Sequence, residues 1–431
     1  MTTHDMAKAA KNASIHLAAM STDRKNAALA AVADALARER EQILAANAAD
    51  LQAAKENDLA SPLLKRLKFD DKKLADVVDG IESLIGLPDP VGQTQSATEL
   101  DAGLNLYRVT CPIGVIGVIF ESRPDALVQI STLCLKSGNA VLLKGGSEAV
   151  NTNRALAAVI TEASVEAGLP EGWLQLLETR ADVQEMLSMD ENIDLLVPRG
   201  SNEFVKYIMD NSNIPVLGHA DGICHAYVDA AADVGKAVAI AVDSKCQYVA
   251  VCNALETLLV HASIAEAFLP VAQAALTERG VELRGCSRTR QIIEVDQATE
   301  EDWRTEYLEL ILSIRVVDSL DDAVAHINTY GSGHTDVIVT EARQSADRFF
   351  ALVDSGDIFW NCSTRFSDGF RYGLGAEVGI STNKIHARGP VGLDGLVIYQ
   401  WRLIGNGQTV APYADGEASF THKPLDAPCP L

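Results

Sequence analysis

Gly114 to Lys144, G-V-I-G-V-I-F-E-S-R-P-D-A-L-V-Q-I-S-T-L-C-L-K-S-G-N-A-V-L-L-K, decides the fold class of this chain. Gly114 to Phe120 is a continuous apolar run bounded by polar residues, as a strand buried on both faces requires. Pro124 suits the first turn of a helix, and Leu127, Ile130 and Leu133 then recur on one helical face. Gly138-Asn139 ends that helix, and Ala140 to Lys144 forms a second buried strand. Two strands joined by a helix pair in parallel. The alternation continues with a helix near Val150 to Ala167, a strand at Trp173 to Leu177, a helix near Ala181 to Met189 and a strand at Ile193 to Val197. The reading is α/β, a doubly wound sheet. Upstream, Ser21 to Lys55 has a helical pattern with Leu29, Val32, Ala33 and Leu36 on one face, which reads as scaffold. A polar stretch, Gly92 to Ala97, reads as a linker into a strand at Leu104 to Thr110, and Cys134 reads as helix packing.

Open sheets of this kind bind ligands at the carboxyl ends of their strands. No G-x-G-x-x-G fingerprint follows a strand, and Gly331-Ser332-Gly333 lacks both the third glycine and the strand–turn–helix setting. The sheet offers instead Lys144-Gly145-Gly146-Ser147 and Arg199-Gly200-Ser201-Asn202, each opening a helix whose free N–H groups and dipole attract phosphate. Either turn, taken alone, is equally an ordinary turn with a capping serine.

With 431 residues, 48% of them hydrophobic, the chain can build two or three sizeable cores. A net charge of −23 argues against non-specific binding of nucleic acid. An anionic substrate must then meet locally placed cations in a cleft. The N-terminal M-T-T-H-D-M-A-K-A-A lacks a long apolar segment and no run approaches a membrane span, so a soluble cytoplasmic protein is expected. Eight cysteines without a C-x-x-C pair or zinc-spaced Cys/His cluster predict free thiols, no disulfide framework and no metal.

A second domain starts near Asp233, where V-G-K-A-V-A-I-A-V begins a helix leading to the Cys252 loop in V-C-N-A-L-E-T-L-L-V-H. Thr257 to His261 reads as a strand, and Ser263-Ile264-Ala265-Glu266 has capping-box spacing for the next helix. A thiol on a loop held by such elements can be aimed at a substrate, although most buried cysteines only pack. Cys286 between Arg284 and Arg288, Cys224 beside His225, and Cys362 near Arg365 also have neighbours able to lower a thiol pKa, so proximity alone leaves the choice open. Tyr330 to Asp336 and Asn361 to Gly369 bring together His334, Asp336, Ser363, Thr364 and Arg365, a set able to hold a carboxylate and a phosphate.

Several strings, in order along the chain, resemble the γ-glutamyl phosphate reductases of the aldehyde dehydrogenase superfamily: V-I-F-E-S-R-P from Val118, S-G-N-A-V-L-L-K-G-G-S-E-A from Ser137, V-P-R-G-S-N from Val197, D-G-I-C-H-A-Y-V-D from Asp221, Y-G-S-G-H-T-D from Tyr330, N-C-S-T-R-F-S-D-G from Asn361, and L-G-A-E-V-G-I-S-T with H-A-R-G-P-V-G-L beyond it. The resemblance singles out Cys252 as the nucleophile and aligns Ser122 with the oxyanion-hole asparagine of hydrolytic relatives. It implies NADPH as cofactor, with Lys144 on the adenosine ribose, the Gly145-Gly146-Ser147 turn beside it, Gly200 and Ser201 at the pyrophosphate, Arg199 facing the 2′-phosphate, and Glu306, or alternatively Glu309, on the nicotinamide ribose. It further implies a substrate set of Glu121, Arg123, His225, His334, Asn361, Ser363, Thr364 and Arg365, closed over by Gly373 to Gly379 and Arg388 to Gly395. The water-activating glutamate of hydrolytic relatives is replaced within His219 to Cys224, and no general base is evident. The implied reaction is reduction of L-glutamyl 5-phosphate to L-glutamate 5-semialdehyde in proline biosynthesis. The alternatives are a CoA-acylating aldehyde dehydrogenase or a non-catalytic partner of glutamate kinase. The implied layout is a cofactor domain of residues 1–98 and 113–230, an oligomerisation arm of 99–112, a catalytic domain of 231–388, a return segment of 389–406, and a mobile tail of 407–431. A homo-oligomer, with a transient glutamate kinase contact, goes with it.

Overall fold

The computed structural model describes residues 1–430 apart from Ser122 and Ala220, and the side chains of Ser61 and Pro62 are likewise outside the description. Five helices lead: α1 (Thr3–Ala18), α2 (Thr22–Arg38), α3 (Arg40–Glu56), α4 (Ser61–Leu67) and α5 (Asp71–Gly86). Leu29, Val32 and Leu36 of α2 and Leu74, Val77, Ile81 and Leu84 of α5 recur every three or four residues and are buried in one core with the first sheet.

A hairpin of β1 (Thr94–Asp101) and β2 (Leu104–Pro112) precedes β3 (Val115–Ile119), α6 (Pro124–Lys136), β4 (Ala140–Lys144), α7 (Val150–Glu166), β5 (Leu174–Leu177), α8 (Arg180–Met186), β6 (Leu195–Pro198) and α9 (Asn202–Asn211). As the sequence predicts, β3 and β4 are buried throughout and pair in parallel. Pro124 opens α6, and Gly138, at φ 74°, takes the left-handed turn that ends it. The sheet order is β5-β4-β3-β6, all parallel. Strand order therefore reverses between β3 and β6, which opens a crevice beyond their carboxyl ends, at Glu121–Arg123 and Arg199–Asn202.

The second sheet contains β7 (Cys224–Val228), β8 (Leu255–His261), β9 (Glu282–Gly285), β10 (Asp296–Gln297), β11 (Ile311–Val317), β12 (Thr335–Val339) and β13 (Asp357–Trp360), in the order β10-β9-β11-β8-β7-β12-β13. All of its pairings are parallel. Helices α10 (Val234–Cys246) and α11 (Ala262–Glu278) pack on one face with Leu258, Phe268 and Leu269 in the core. Leu259, Ile327 and Phe349 fill the other face.

Five expectations are corrected. The second sheet begins at β7, ahead of the boundary expected at residue 231, because Cys224–Val228 pairs with β8 and β12. Val378, Val391, Leu393 and Leu396 rejoin the first core, so the return starts before 389. Helix α11 starts at Ala262, where His261 Nδ1 accepts the Ser263 N–H at 3.1 Å, so the Ser263–Glu266 capping box does not form. The tail is tied down: Lys423–Pro424 (β17) pairs with β1, Tyr413 Oη donates to Asp101 at 2.8 Å and the Cys429 N–H donates to Thr94 Oγ1 at 2.8 Å. Thr94 already belongs to β1, so the stretch read as a linker is partly strand. Val397–Ile404 (β16) lines β2 and exposes Ile398, Tyr399, Trp401 and Leu403 at the edge of this third sheet. Among the described residues no helix is long and apolar enough to cross a membrane.

Candidate active site

The loop carrying Cys252 is stapled at both ends. Lys245, at the end of α10, donates to Glu256 on β8 at 2.6 Å, and both side chains are completely buried. Burial lifts the Glu256 carboxyl to about 7, against the opposing pull of Lys245, whose own ammonium burial pushes down. Between these ends, Asn253 Nδ2 donates to the Ser367 carbonyl at 2.6 Å, and Thr364 Oγ1 donates to the Asn253 carbonyl at 2.7 Å. Ser244 Oγ accepts the Thr364 N–H at 3.1 Å and bonds Ser363 Oγ at the same distance. Ser363 and Thr364, expected to touch substrate, thus hold the Cys252 loop. Gly222 presses on that loop from β7's side: a Cβ there would sit 2.2 Å from the Cys252 carbonyl oxygen and 2.3 Å from its Cα.

Gly222, Cys252 and His334 stand at the amino ends of β7, β8 and β12, three adjacent strands. Parallel pairing sets those ends side by side, and His334 Nε2 lies 3.1 Å from Cys252 Sγ. His334 Nδ1 lies 2.7 Å from Thr335 Oγ1; with Nδ1–H donating there, Nε2 is left bare to accept from the thiol. Burial, with Glu306 and Glu377 adding to it, pushes the Cys252 thiol up to about 12. Burial, with His219 beside it, holds the His334 imidazole well below its usual value. The resting pair is therefore a neutral thiol facing a neutral base. His334, one of the residues expected to bind substrate, is thus the basic side chain placed against the Cys252 sulfur.

Charged groups surround the pair. Arg199, expected at the 2′-phosphate of the cofactor, is partly exposed; desolvation lowers its guanidinium, and Arg123, Glu377 and Cys252 are among the charges that act on it. Arg365 donates from Nε to Gln247 at 2.9 Å, and Cys252 is among the charges that act on its guanidinium. Arg123 pairs with Asp125 at 3.4 Å. Glu306 accepts from Asn202 Nδ2 at 2.7 Å and from the Gly222 N–H, and burial raises its carboxyl. Glu309 is exposed, so Glu306 is the glutamate that belongs to the site. Glu377, raised by burial while it accepts the Gly369 N–H at 2.8 Å, was missed; its only signal was the glycine-rich string around it.

Two further residues lie elsewhere than expected. His225 is completely buried in β7, its Nδ1 at 3.0 Å from Asp336, and serves the sheet. Asn361 spends its side chain on Thr340, accepting that residue's N–H at 3.0 Å and donating to its carbonyl at 2.9 Å. Ser122 lies outside the described residues. Of the other cysteines, burial raises Cys224 and Cys362. Cys286, despite its burial, is held below the ordinary range by Thr289 yet bonds no cleft residue.

The two turns expected to hold phosphate differ. At the start of α7, Asp50 already accepts the Asn151 N–H at 3.2 Å and the Thr152 N–H at 2.8 Å, so that helix end is taken. Side chains at Gly145 and Gly146 would strike Asn153 and Glu148, which gives both glycines a packing reason, while Ser147 stays exposed. Lys144 Nζ donates to the Gly145 carbonyl at 2.6 Å; burial lowers it, and Glu148, Arg180, Asp182 and Glu121 lie around it. Glu121 lies between this lysine and Gly200, on the crevice rather than among the groups around Cys252. At α9, by contrast, Ser201 is an exposed N-cap whose hydroxyl makes no capping bond, and Gly200 beside it is exposed. The open end of α9, with Lys144 and Arg180 across the crevice, fits a phosphate-bearing dinucleotide.

This fold, with a cysteine–imidazole pair between two parallel sheets, agrees with the comparisons to known proteins. Residues 1–285 match the model of the aldehyde dehydrogenase family. The chain belongs to that family and is an oxidoreductase. It is 64% identical over 431 residues, all of both chains, to the γ-glutamyl phosphate reductase of Acetivibrio thermocellus. It is 66% identical over 426 residues to that of Pelotomaculum thermopropionicum, covering 99% of this chain and 98% of the relative. The crystal structure of γ-glutamyl phosphate reductase from Thermotoga maritima is similar with a TM-score of 0.93 at 42% identity, over 95% of this chain and 100% of that one.

Proposed function

We propose that this chain reduces L-glutamyl 5-phosphate to L-glutamate 5-semialdehyde with NADPH, releasing phosphate, as a step of proline biosynthesis. The observation that carries the reading is the 3.1 Å contact between Cys252 Sγ and His334 Nε2, at a point where the charges of Arg199 and Arg365 are also felt. The relatives' names supply the substrate.

His334 Nε2 takes the thiol proton as Cys252 Sγ attacks the acyl carbon, so no free thiolate has to persist in the buried site. The Cys252 N–H, which already points at its own sulfur, is placed to meet the oxyanion; such a donor is worth about 3 kcal/mol. The C–O bond to phosphate breaks, the leaving group takes the proton from His334, and Arg199 and Arg365 offset its charge. Cys252 is left as a thioester. NADPH, when bound, supplies the hydride that brings this acyl group to the aldehyde level. Cys252 then leaves as the C–S bond breaks and regains a proton from solvent through His334. Ser201, Gly200 and the open end of α9 would hold the pyrophosphate, Lys144 the adenosine ribose, and Glu306 or Glu377 the nicotinamide ribose. Arg180, exposed and near Lys144, joins Arg199 as a cation that could meet the 2′-phosphate.

The test is NADP reduction by glutamate 5-semialdehyde with phosphate, with CoA, or with neither. Turnover requiring phosphate supports the reading. A requirement for CoA would point to an acylating dehydrogenase, steady turnover with neither to a hydrolytic one, and no turnover to a non-catalytic partner. Arg180→Ala should lower the NADP-over-NAD ratio of kcat/KM roughly fivefold, the size of an exposed ion pair of about 1 kcal/mol.

A further inference from the structure

Three side chains far apart in sequence converge on one point of the cleft. The donor atoms of His219, Cys252 and His334 all lie within 4.8 Å of one another. We propose that they form a binding site for a soft divalent cation of the zinc class, and that the bound ion reversibly closes the active site by taking its nucleophile as a ligand.

The ring orientations support this more than proximity does. His219 Nδ1 lies 3.2 Å from the Ile380 carbonyl and His334 Nδ1 lies 2.7 Å from Thr335 Oγ1. With each Nδ1–H so engaged, both Nε2 atoms carry free lone pairs, the arrangement in which a backbone carbonyl or hydroxyl orients a metal-bound imidazole. The rings meet edge to face, 5.2 Å between centroids. Zinc bonds of roughly 2.0 Å to nitrogen and 2.3 Å to sulfur place tetrahedral donors about 3.5 Å apart. The Cys252–His334 distance of 3.1 Å is near that, and the widest separation, at most 4.8 Å, closes by side-chain rotation. Two imidazoles and a sulfur select zinc, cobalt or copper over magnesium or calcium. Glu306 and Glu377 face the sulfur and favour a cation there, while Arg199 opposes it. Cys224, the other nearby sulfur, donates to the Cys252 carbonyl at 3.2 Å and stays out of the set. On binding, the metal–sulfur bond replaces the S–H bond and the proton leaves to solvent. The fourth position stays open for water or an anion.

Full-length protein stripped of metal would be titrated with cobalt(II) and with zinc(II). One equivalent of cobalt should produce thiolate-to-metal charge-transfer absorption in the near ultraviolet, absent in Cys252→Ala. Zinc affinity by calorimetry should fall roughly tenfold or more in His219→Ala and in the bulkier His219→Gln, with melting curves checking that both variants fold. Turnover and alkylation of Cys252 by iodoacetamide should both fall with zinc occupancy and recover on adding a chelator. A charge-transfer band that persists in Cys252→Ala, or wild-type zinc affinity in both His219 variants, would overturn the site. Full occupancy without loss of turnover would overturn the inhibitory role and, with it, the assignment of Cys252 as nucleophile.

Discussion

Gly222→Ala isolates how closely Cys252 must be held. The added Cβ would lie 2.2 Å from the Cys252 carbonyl oxygen, 2.3 Å from its Cα and 2.6 Å from its carbonyl carbon. All three are backbone atoms, so no rotamer change relieves the clash, and restoring ordinary contact at 3.4 Å moves the loop by about 1 Å. The Cys252–His334 contact is 3.1 Å, and a shift of that size takes it out of hydrogen-bond range. Misplacement by about 1 Å costs on the order of 10²-fold in rate, or about 3 kcal/mol of barrier. Turnover of Gly222→Ala should therefore fall by roughly that factor, with slower alkylation of Cys252, while the overpacking costs about 1–3 kcal/mol of stability and leaves the protein folded. Gly86→Ala, where a Cβ meets nothing within 4 Å, is the control and should behave as the parent. Turnover of Gly222→Ala within about twofold of the parent would refute the reasoning, because the loop would then yield without disturbing the sulfur.

Cys252→Ala should abolish turnover while leaving dinucleotide binding and the melting curve intact; substantial residual activity, with loss instead in Cys286→Ala, would move the nucleophile. Lys245→Met strands a buried carboxylate and should cost about 3–5 kcal/mol in denaturant unfolding, whereas Lys245→Met with Glu256→Gln should recover much of it; equal stabilities of the two variants would show that the pair is not coupled. Burial works against the Asp302 carboxylate, but the Thr299 N–H, Arg284 and Tyr307 together hold it well below its ordinary 3.8. A carboxyl lowered in the folded state adds stability above its unfolded value and loses it as pH falls, so Asp302→Asn should flatten the decline in stability below about pH 4; an unchanged acid limb would remove Asp302 from the account.

The first sheet was legible because strands covered on both faces must be apolar throughout, and Pro124 and Gly138 punctuate the helix between them. What the local pattern does not carry is which sheet a strand joins. Cys224–Val228 reads as a buried strand either way, and only pairing with β8 and β12 places it. The tail misled for the opposite reason: its acids and prolines suggest mobility, yet backbone pairing with β1 needs few side chains. Side-chain direction was equally hidden: His225, expected at the substrate, is completely buried in β7 with Nδ1 3.0 Å from Asp336.

The loop and the resemblance point to Cys252, but neither carries the state of its sulfur. His334 is 82 residues away, and a strand order that puts β12 next to β7 is what brings it within 3.1 Å. Burial and two carboxylates keep the Cys252 thiol protonated at about 12, so a thiolate made in advance would be too scarce to carry the chemistry. An anionic acyl phosphate entering the cleft makes such a thiolate scarcer still. In the proposed reaction the proton therefore moves while the sulfur attacks, and its acceptor is neutral at rest. The same burial that raises the thiol lowers His334, which keeps the imidazole neutral and its Nε2 free to accept. One buried environment thus sets both partners, and in the proposed reaction Arg199 and Arg365 are left to offset the charge that leaves with phosphate.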